Sequence, residues 1–348
     1  MVPVAGARDR IVPLNQPRIP VQIPRVSGTS RAPTWPGCLP NAPFRGMFLR
    51  MKLAKAVKRI CVTKPKRFRI ADCDPAATFG LTKEEAEKLL ADDVARLADL
   101  QERLWAQDRW AVLVILQGMD AAGKDGVVKH VMAGVNPEGC DVHSFKAPTP
   151  EELDHDFLWR TACKLPQRGR IGIFNRSYYE EVLIVRVHPD VLAHERLPKE
   201  VVTPDIWQRR FKDICAFERT LAHNGVLVLK FFLNISPEEQ RQRLLARLEE
   251  PAKRWKFSMN DVAERKLWPR YMEAYEEMIR ATSHAEAPWY VVPADHKPFA
   301  RLMVARVMIE ALARLDLKFP EVKGKALAEL DKVRKALKAE EKPGKPVS

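Results

Sequence analysis

The sequence predicts an α/β fold in which helices cover both faces of a parallel sheet. Two observations support this prediction: short apolar runs alternate with segments of helical periodicity, and a glycine-rich loop directly follows one of the runs. The runs are rich in β-branched and aromatic residues and are bounded by polar residues or glycine, as buried parallel strands are. The predicted strands cover residues 111–116, 142–145, 171–174, 226–233 and 289–292, of which 142–145 has the weakest pattern.

Segments of helical periodicity fill the intervals between these strands. The first begins with a capping box, in which Thr82 is followed three residues later by Glu85. Apolar residues then recur at helical spacing from Leu89 to Leu104, which predicts one long helix before the sheet. The other predicted helices cover residues 123–133, 151–163, 205–223, 237–248, 262–282 and 298–315.

The net charge of +14 is concentrated near the N-terminus. Residues 1–70 contain 15 lysines and arginines and one acid, Asp9, whereas the remainder contains 44 basic and 44 acidic residues. The first 46 residues also include nine prolines and show no apolar period. This composition predicts a disordered extension, because such a segment buries too little apolar surface to offset its ordering entropy. Met47 and Met51 lie where the folded body is expected to begin, which raises the hypothesis that the natural protein starts there.

Composition also argues against several classes of protein. The longest uncharged apolar stretch has seven residues, 110–116, far fewer than the roughly 20 that span a bilayer. Six cysteines are widely spaced and include no CxxC pair, which argues against a disulfide framework or a zinc site. We therefore expect a cytoplasmic protein with no membrane partner. The lysine-rich stretch 323–345 predicts a solvated helix with a frayed end.

A phosphate-binding loop follows the first predicted strand. Residues 118–124 fit the pattern G-x-x-x-x-G-K and lead into a helix, so that backbone N–H groups and the positive helix end would converge on one anion. Lys124 would add a mobile charge for the phosphoryl group in transfer. A structural glycine turn with an incidental lysine is the weaker interpretation, since strand and helix stand where the motif requires them. The candidate phosphate-binding residues of the loop are Gly118, Ala122, Gly123, Lys124, Asp125 and Gly126.

The loop departs from the usual pattern at one position. The Ser or Thr that normally follows the lysine and contacts Mg²⁺ is replaced by Asp125. Asp120, inside the loop, is the candidate replacement and the predicted metal-binding residue. The expected cofactor is Mg²⁺, with Mn²⁺ as the alternative.

Polar residues follow the third predicted strand, at the edge of the sheet where open α/β proteins bind their ligands. Asn175 stands where an acid usually helps to hold Mg²⁺, so Asp120 with Glu180 or Glu181 would supply the negative charge. Arg176 can bridge phosphate oxygens in a bidentate fork, which lysine cannot. The alternative for Arg176 is a surface ion pair with Glu180, four residues later.

Basic residues crowd the predicted helix 237–248 and the loop after it. They are Arg241, Arg243, Arg247, Lys253, Arg254 and Lys256, interrupted by Trp255 and Phe257. A mobile lid over phosphates needs such donors, because closure must keep water away from the phosphoryl group. For any single residue, a solvated face paired with Glu249 and Glu250 is an equal alternative. The cluster as a whole favours a lid at about residues 237–282.

Together these features predict a three-layer P-loop kinase fold for residues 47–320. The disordered extension 1–46 precedes it and a charged tail, 321–348, follows it. Catalysis would rest on positioning and charge neutralisation, with no covalent intermediate.

Several stretches resemble the polyphosphate kinase 2 family. They are GMDAAGKDG, VNPEGCDVHSFKAPTPEELDHDFLWR, FNRSYYEEVLIVRVHP and EEQRQRLLARLEEPAKRWKFS, in this order between Gly118 and Ser258. APWYVVPADHK resembles the closing segment of the family, so the resemblance covers most of residues 65–318. YEEVLIVRVHP after Asn-Arg-Ser is most similar to the subgroup that phosphorylates both nucleoside mono- and diphosphates, although other members carry Asp in place of Asn175.

The resemblance implies roles for individual residues. Asp120 and Lys124 would serve the transferred phosphate and its Mg²⁺, and Arg176 and Glu180 the nucleotide. Asn175 and Glu181 are further nucleotide-binding candidates, and the residues that would line the polyphosphate path are Lys146, Arg243, Arg247, Lys253 and Lys256. The implied partners are inorganic polyphosphate and nucleotides, and the implied assembly is a homo-oligomer, either a dimer or a tetramer.

Two other functions fit parts of the sequence. A P-loop with a basic lid suits an ATP-dependent nucleoside monophosphate kinase equally well, and phosphorylation of AMP by polyphosphate without ATP would separate the two. A nucleic-acid-binding protein could use the basic N-terminus, with an affinity that falls steeply with salt and disappears when residues 1–50 are removed. The neutral body offers no broad basic face, so this second alternative is disfavoured.

Overall fold

Five parallel strands form a single sheet at the centre of the protein. The computed structural model describes residues 44–340, and the described residues from Arg45 onward belong to one compact unit. The strands are β1 (Ala111–Gln117), β2 (Cys140–Ser144), β3 (Ile171–Asn175), β4 (Val226–Asn234) and β5 (Trp289–Pro293). Their order in the sheet is β2-β3-β1-β4-β5, so the glycine-rich loop after β1 leaves the middle of the sheet. All five predicted strands are confirmed, with β2 beginning two residues earlier than predicted.

Thirteen α-helices surround or extend from this sheet in the described residues. They are α1 (Phe44–Ile60), α2 (Lys83–Gln107), α3 (Lys124–Val131), α4 (Pro150–Leu153), α5 (Trp159–Ala162), α6 (Ile184–Val187), α7 (Pro189–Ala193), α8 (Ile206–His223), α9 (Pro237–Glu249), α10 (Met259–Lys266), α11 (Trp268–Thr282), α12 (Lys297–Leu312) and α13 (Lys325–Glu340). Helix α12 packs against α2 and α3, whereas α8 packs against β4 and α11. The helices therefore form two layers around the sheet, as the three-layer prediction required.

The core is built from the strands and the apolar faces of the helices. All seven residues of β1 are buried, as expected for a central strand covered on both faces. Helix α12 is buried along almost its whole length and is apolar nearly all round. The capping box before α2 is formed in both directions: Glu85 N–H donates to Thr82 Oγ1 at 3.2 Å, and Thr82 N–H donates to Glu85 Oε2 at 3.1 Å.

Two of the predicted helices are wrong as continuous helices. The segment 151–163 forms two short helices, because the Asp156 carboxylate accepts a hydrogen bond from Leu158 N–H at 2.9 Å in the intervening turn. The segment 262–282 breaks between α10 and α11 at Leu267. Pro269, near the start of α11, has no N–H to continue the helical ladder and is tolerated only in a first turn.

Helix α1 was not predicted, although its buried residues Leu53, Ala56, Val57 and Ile60 follow helical spacing. Among residues 44–340, no helix has the length and hydropathy needed to cross a membrane. Most of the predicted extension 1–46 and the last eight residues of the predicted tail lie outside the described residues. The domain boundaries at 46 and 320 therefore stay predictions.

Candidate active site

The loop after β1 has the backbone geometry of a tight phosphate-binding turn. Gly118 has a φ of 152°, and a Cβ there would lie 2.9 Å from the Leu233 carbonyl oxygen, so this position requires glycine. Gly123 caps α3 with a φ of 112°, again in the region that glycine favours. Helix α3 then begins at Lys124, and its first N–H groups have no acceptor within the helix. The loop therefore presents a positive helix end to the space above the sheet.

Lys124 is buried inside this loop. Its Nζ donates to the carbonyl oxygens of Gly118 and Met119, at 2.7 and 3.2 Å. Burial lowers the pKa of the ammonium, and the nearby charge of Asp120 opposes that shift. The predicted mobile charge is thus held by two loop carbonyls at the base of the site.

Asp120 and Arg176 form an ion pair that connects the loop after β1 to the end of β3. Arg176 Nη2 donates to Asp120 Oδ1 at 2.8 Å. Burial opposes ionisation of Asp120, but the charges of Lys124 and Arg176 outweigh it and hold the pKa of this carboxyl below its usual value. Arg176 has a φ of 64°, a strained conformation for a residue with a side chain. The alternative of a simple Arg176–Glu180 surface pair is wrong, since the direct ion-pair partner of Arg176 is Asp120.

The two departures from the usual P-loop pattern contact each other. Asn175 Nδ2 donates to Asp125 Oδ1 at 2.8 Å. An aspartate at both positions would place two like charges at this distance and would remove the hydrogen bond. The Asn175 amide and the Asp125 carboxylate are therefore complementary, so the two departures from the motif are linked by one hydrogen bond.

Glu180 and Glu181 follow β3 but face different surroundings. Burial raises the pKa of Glu180, and the charges of Arg176 and Lys124 oppose the shift, so this carboxyl lies close to the loop after β1. Glu181 instead lies against Arg210, whose Nη1 is 3.9 Å from Glu181 Oε2 and donates to the Glu181 carbonyl oxygen at 2.8 Å. The structure thus brings Glu180 to the candidate site and not Glu181.

The stability of the folded protein should depend on pH because the Glu181 carboxyl is buried. Burial, and then the charge of Glu195, raise the pKa of this carboxyl to about 7, while Arg210 opposes the shift. The folded protein keeps this proton up to about pH 7, whereas the unfolded chain loses it near the usual value, so unfolding becomes easier as pH rises between the two. We expect Glu181→Gln to remove this loss of stability at rising pH.

Melting curves of wild type and Glu181→Gln between pH 4.5 and 8 measure this effect. The melting temperature of the variant relative to wild type should rise with pH until about pH 7 and then stay constant. The exposed Glu200→Gln is the control and should show no such trend. A pH-independent difference for Glu181→Gln would contradict the raised pKa.

The first part of the predicted lid is fixed to the loop after β1. Arg243 on α9 donates all five of its guanidinium N–H groups to acceptors within the protein. Nε donates to Glu239 Oε1 at 2.7 Å, Nη1 donates to the carbonyl oxygens of Ala121 and Ala122 at 3.0 and 2.9 Å, and Nη2 donates to those of Ala294 and Asp295 at 2.6 and 2.9 Å. In this geometry Arg243 has no donor left for a phosphate and holds the loop in place, and its role on the polyphosphate path stays a prediction.

The other cations predicted for the polyphosphate path line one cavity above the sheet, whereas Arg241 and Arg254 of the same basic cluster do not. Its volume is about 850 Å³, and it extends from the loop after β1 to the lid segment and the start of α12. Lys146, Arg247, Lys253 and Lys256 all line it, together with Asp120, Lys124, Asn175 and Arg176. Arg247 is paired with Asp261 at 2.8 Å, and exposed Lys253 is paired with Glu250 at 2.5 Å. Helix α11, by contrast, contributes buried residues to the core, so only the earlier part of the predicted lid faces the cavity.

Sequence reasoning missed several residues that shape this site. Gln117, at the end of β1, donates to Glu180 Oε1 at 2.9 Å in the amide orientation that satisfies both of its neighbours. Gln240 on α9 donates to the Asp120 carbonyl oxygen at 3.0 Å. Lys297 and Arg301, one turn apart on α12, also line the cavity. Two sequence signals could have identified them: their spacing of four residues at the start of a helix, and the position of Lys297 at the end of the quoted segment APWYVVPADHK.

A buried polar cluster supports the segment that follows Arg176. Lys230 on β4 and Glu218 on α8 are fully buried and form an ion pair at 2.6 Å. Glu218 also accepts hydrogen bonds from the hydroxyl groups of Tyr178 and Tyr179, at 2.9 and 2.7 Å. The two tyrosines directly follow the strained turn at Arg176, so this cluster anchors that turn to the core.

The order of the strands, the glycine-rich loop after the central strand and the cations around it define a P-loop protein of the kinase type. A family model described as polyphosphate kinase 2 (PPK2) matches residues 80–320. The chain belongs to the polyphosphate kinase 2 family.

Individual relatives and solved structures agree with this family. The chain is 49% identical over 287 residues to an ADP-polyphosphate phosphotransferase of Rhodopseudomonas palustris, covering 79% of this chain and 98% of the relative. It is 46% identical over 267 residues to an AMP/ADP-polyphosphate phosphotransferase of Meiothermus ruber, covering 76% of this chain and 96% of the relative. The crystal structure of polyphosphate kinase 2 from Arthrobacter aurescens TC1 superposes with a TM-score of 0.74 at 41% identity, covering 80% of this chain and 96% of that one.

Proposed function

We propose that this protein transfers the terminal phosphoryl group of inorganic polyphosphate to a nucleoside mono- or diphosphate. The observation that carries the proposal is the cavity of about 850 Å³, which combines a phosphate-binding loop with a lining of cations. Polyphosphate and a nucleotide are both polyanions, and the family relatives named above support this pair of substrates. We propose AMP and ADP as the acceptors. We also propose that the protein is a cytoplasmic homo-oligomer of two or four chains.

In the proposed reaction, an oxygen of the acceptor's terminal phosphate attacks the terminal phosphorus of polyphosphate. One P–O bond forms to the acceptor and one breaks within polyphosphate, which leaves shorter by one phosphate. The attacking oxygen is already an anion near neutral pH, so the step needs no general base. The protein's task is to hold both polyanions in line and to neutralise their charge. We assign the transferred group to Lys124 and the N–H groups of α3, and the acceptor phosphate to Arg176.

The donor atoms near the loop fit a hard divalent cation. Mg²⁺ prefers oxygen ligands and is held in kinases by one or two carboxylates together with substrate phosphates. Asp120 keeps an ionised carboxylate beside the loop, and Asp125 offers a second one. Among residues 44–340, no three acidic, histidine or cysteine side chains form a metal-binding group, so substrate oxygens would complete the shell. When bound, Mg²⁺ would supply charge neutralisation on the phosphoryl group in transfer.

The assay that tests the function contains purified protein, long-chain polyphosphate, Mg²⁺ and either AMP or ADP, with no ATP added. Formation of ADP or ATP is expected, because polyphosphate alone supplies the phosphoryl group. An ATP-dependent nucleoside monophosphate kinase would be inactive under these conditions and would phosphorylate AMP only when ATP is supplied. That second outcome would overturn the proposal.

Metal titrations of two variants test the assignment of Asp120. We expect Asp120→Asn to raise the Mg²⁺ concentration for half-maximal rate by about tenfold or more, the effect that loss of even an outer-shell partner typically has, and to lower the maximal rate. Asp125→Asn should change the curve less, because Asp125 opens α3 and accepts from Asn175. An unchanged Mg²⁺ curve for Asp120→Asn with a shifted one for Asp125→Asn would reverse the assignment.

A further inference from the structure

One wall of the cavity carries two cations that the proposed reaction has not used. Lys297 and Arg301 lie one turn apart at the start of α12, and both line the cavity, Arg301 partly buried and Lys297 exposed. The loop immediately before α12 is the one whose carbonyl groups at Ala294 and Asp295 are held by Arg243. The position of these two cations is therefore fixed relative to the loop after β1.

Neither cation has a direct partner among the side chains that the structure describes. Over residue 49 and residues 51–338, Lys297 and Arg301 form no ion pair or hydrogen bond. Burial lowers the pKa of both groups, and the charge of Arg243 lowers each of them further. The charge of Glu239 acts in the opposite direction on the pKa of Lys297, and that of Glu87 on the pKa of Arg301. Cations that lie close together beside one cavity gain from an anionic ligand that binds between them, and the partly buried Arg301 gains most.

The topology separates this wall from the acceptor side of the site. Asn175 and Arg176 follow β3, on one side of the central strand β1, whereas α12 follows β5, at the other edge of the sheet. Arg301 reaches back toward the loop, with Nη2 at 3.5 Å from the position of a Cβ on Gly126. A basic surface therefore runs from the first turn of α3 toward α12, away from the acceptor side.

This direction fits a long, unbranched phosphate chain. If the terminal phosphate of a donor lies on the loop after β1, the rest of the donor must leave that loop on the side opposite the acceptor, since the transfer is in line. A donor with a charge on every phosphate would pass Arg301 and Lys297 in turn. A nucleotide acceptor on the β3 side would not contact them.

We propose that Lys297 and Arg301 form a distal subsite for polyphosphate, which binds phosphates of the donor chain beyond those held by the loop after β1. The inference rests on the proposed function, because it assigns a second region of the same site to the same donor. It adds a chain-length preference for long polyphosphate to that function.

The test compares wild type, Lys297→Ala, Arg301→Ala and the double variant with long-chain polyphosphate and with tripolyphosphate, at saturating ADP. Loss of a charge-assisted contact should raise the KM for long-chain polyphosphate by about tenfold for each variant. The KM for tripolyphosphate and the KM for ADP should stay within about twofold of wild type, as should kcat. Lys212→Ala on the exposed face of α8 is the matched control and should change none of these values.

Direct binding and melting measurements separate failure of this inference from failure of the function. The dissociation constant for long-chain polyphosphate should rise in the double variant, and added polyphosphate should raise its melting temperature less than that of wild type. Without polyphosphate, the variants should melt at or above the wild-type temperature, because like charges have been removed. A wild type that binds polyphosphate through these residues but does not phosphorylate nucleotides would overturn the function and keep the subsite.

Four results would overturn the subsite. Unchanged KM and binding in the double variant would show that the two cations do not contact the donor. An equal rise in the KM for tripolyphosphate would place the two cations beside the transferred phosphate. A rise in the KM for ADP alone would place them beside the acceptor. Absence of polyphosphate binding by wild type would overturn the subsite and the function together.

Discussion

Lys124→Ala should lose at least about 100-fold in kcat while the folded protein remains intact. The side chain lies at the base of the loop, where its charge would stabilise the phosphoryl group in transfer, and loss of such an interaction typically costs a few kcal/mol of transition-state stabilisation. Its removal leaves the Gly118 and Met119 carbonyl groups without this donor but also removes the desolvation cost of a buried ammonium. The two effects oppose each other, so we expect the melting temperature to change little.

The measurement is the rate of ADP phosphorylation by polyphosphate, together with a melting curve. Lys129→Ala is the matched control, because Lys129 lies on the same helix with its side chain exposed, and it should retain the wild-type rate. Lys124→Met keeps most of the side-chain volume and shows whether a loss of rate comes from the charge. A Lys124→Ala or Lys124→Met enzyme that kept more than about a tenth of the wild-type rate would not need this charge for catalysis.

Lys230→Met should destabilise the protein by about 3 kcal/mol, because Glu218 loses its buried ammonium partner. The expected loss is at the lower end for a broken buried pair, since His284 Nε2 stays 2.9 Å from the same carboxylate. Glu218→Gln should have an effect of similar size, since it leaves the buried ammonium without its carboxylate. The double variant should lose much less than the sum of the two, as expected for residues that interact directly. Urea unfolding of the four proteins gives the coupling free energy.

The exposed pair Lys83 and Glu87 provides the control for this cycle. Its side chains are 70% and 54% exposed and 4.0 Å apart, so breaking it should cost less than about 1 kcal/mol. Additive effects of Lys230→Met and Glu218→Gln would contradict a direct buried pair. Because Tyr178 and Tyr179 donate to the same carboxylate, we also expect a weaker hold on the turn at Arg176 in both single variants.

The parts of the fold that follow local patterns were predictable from sequence. The strand and loop from Ala111 to Lys124 carry their pattern within 14 consecutive residues, and the capping box at Thr82 within four. The break within residues 151–163 was not predicted, because one side chain, Asp156, bonds to the backbone and competes with the helix. Apolar periodicity does not report such a local competition.

The roles of site residues depended on contacts between distant parts of the chain. The basic cluster on α9 was recognised, but sequence could not show that Arg243 would use every donor on carbonyl groups as far away as Ala121. Glu180 and Glu181 are neighbours with the same chemistry, and only the packing of α8 brings Arg210 to Glu181. The Asp125–Asn175 contact likewise joins two positions that looked like unrelated departures from a motif.

The five hydrogen bonds of Arg243 also determine where a closing movement can begin. Because this one side chain joins α9 to the loop after β1 and to the loop before α12, the part of α9 up to Arg243 cannot swing without breaking all three connections. Helix α10 is also bonded to the start of α9, since Arg265 Nη1 donates to the Pro237 carbonyl oxygen and to Gln240 Oε1, at 2.6 and 2.9 Å. The hinge of the predicted lid would then lie C-terminal to Arg243, and the moving part would be limited to the end of α9 and the turn Pro251–Lys256. That part carries Lys253 and Lys256, so the predicted closure would bring these two lysines over a floor whose shape is already set before any substrate arrives.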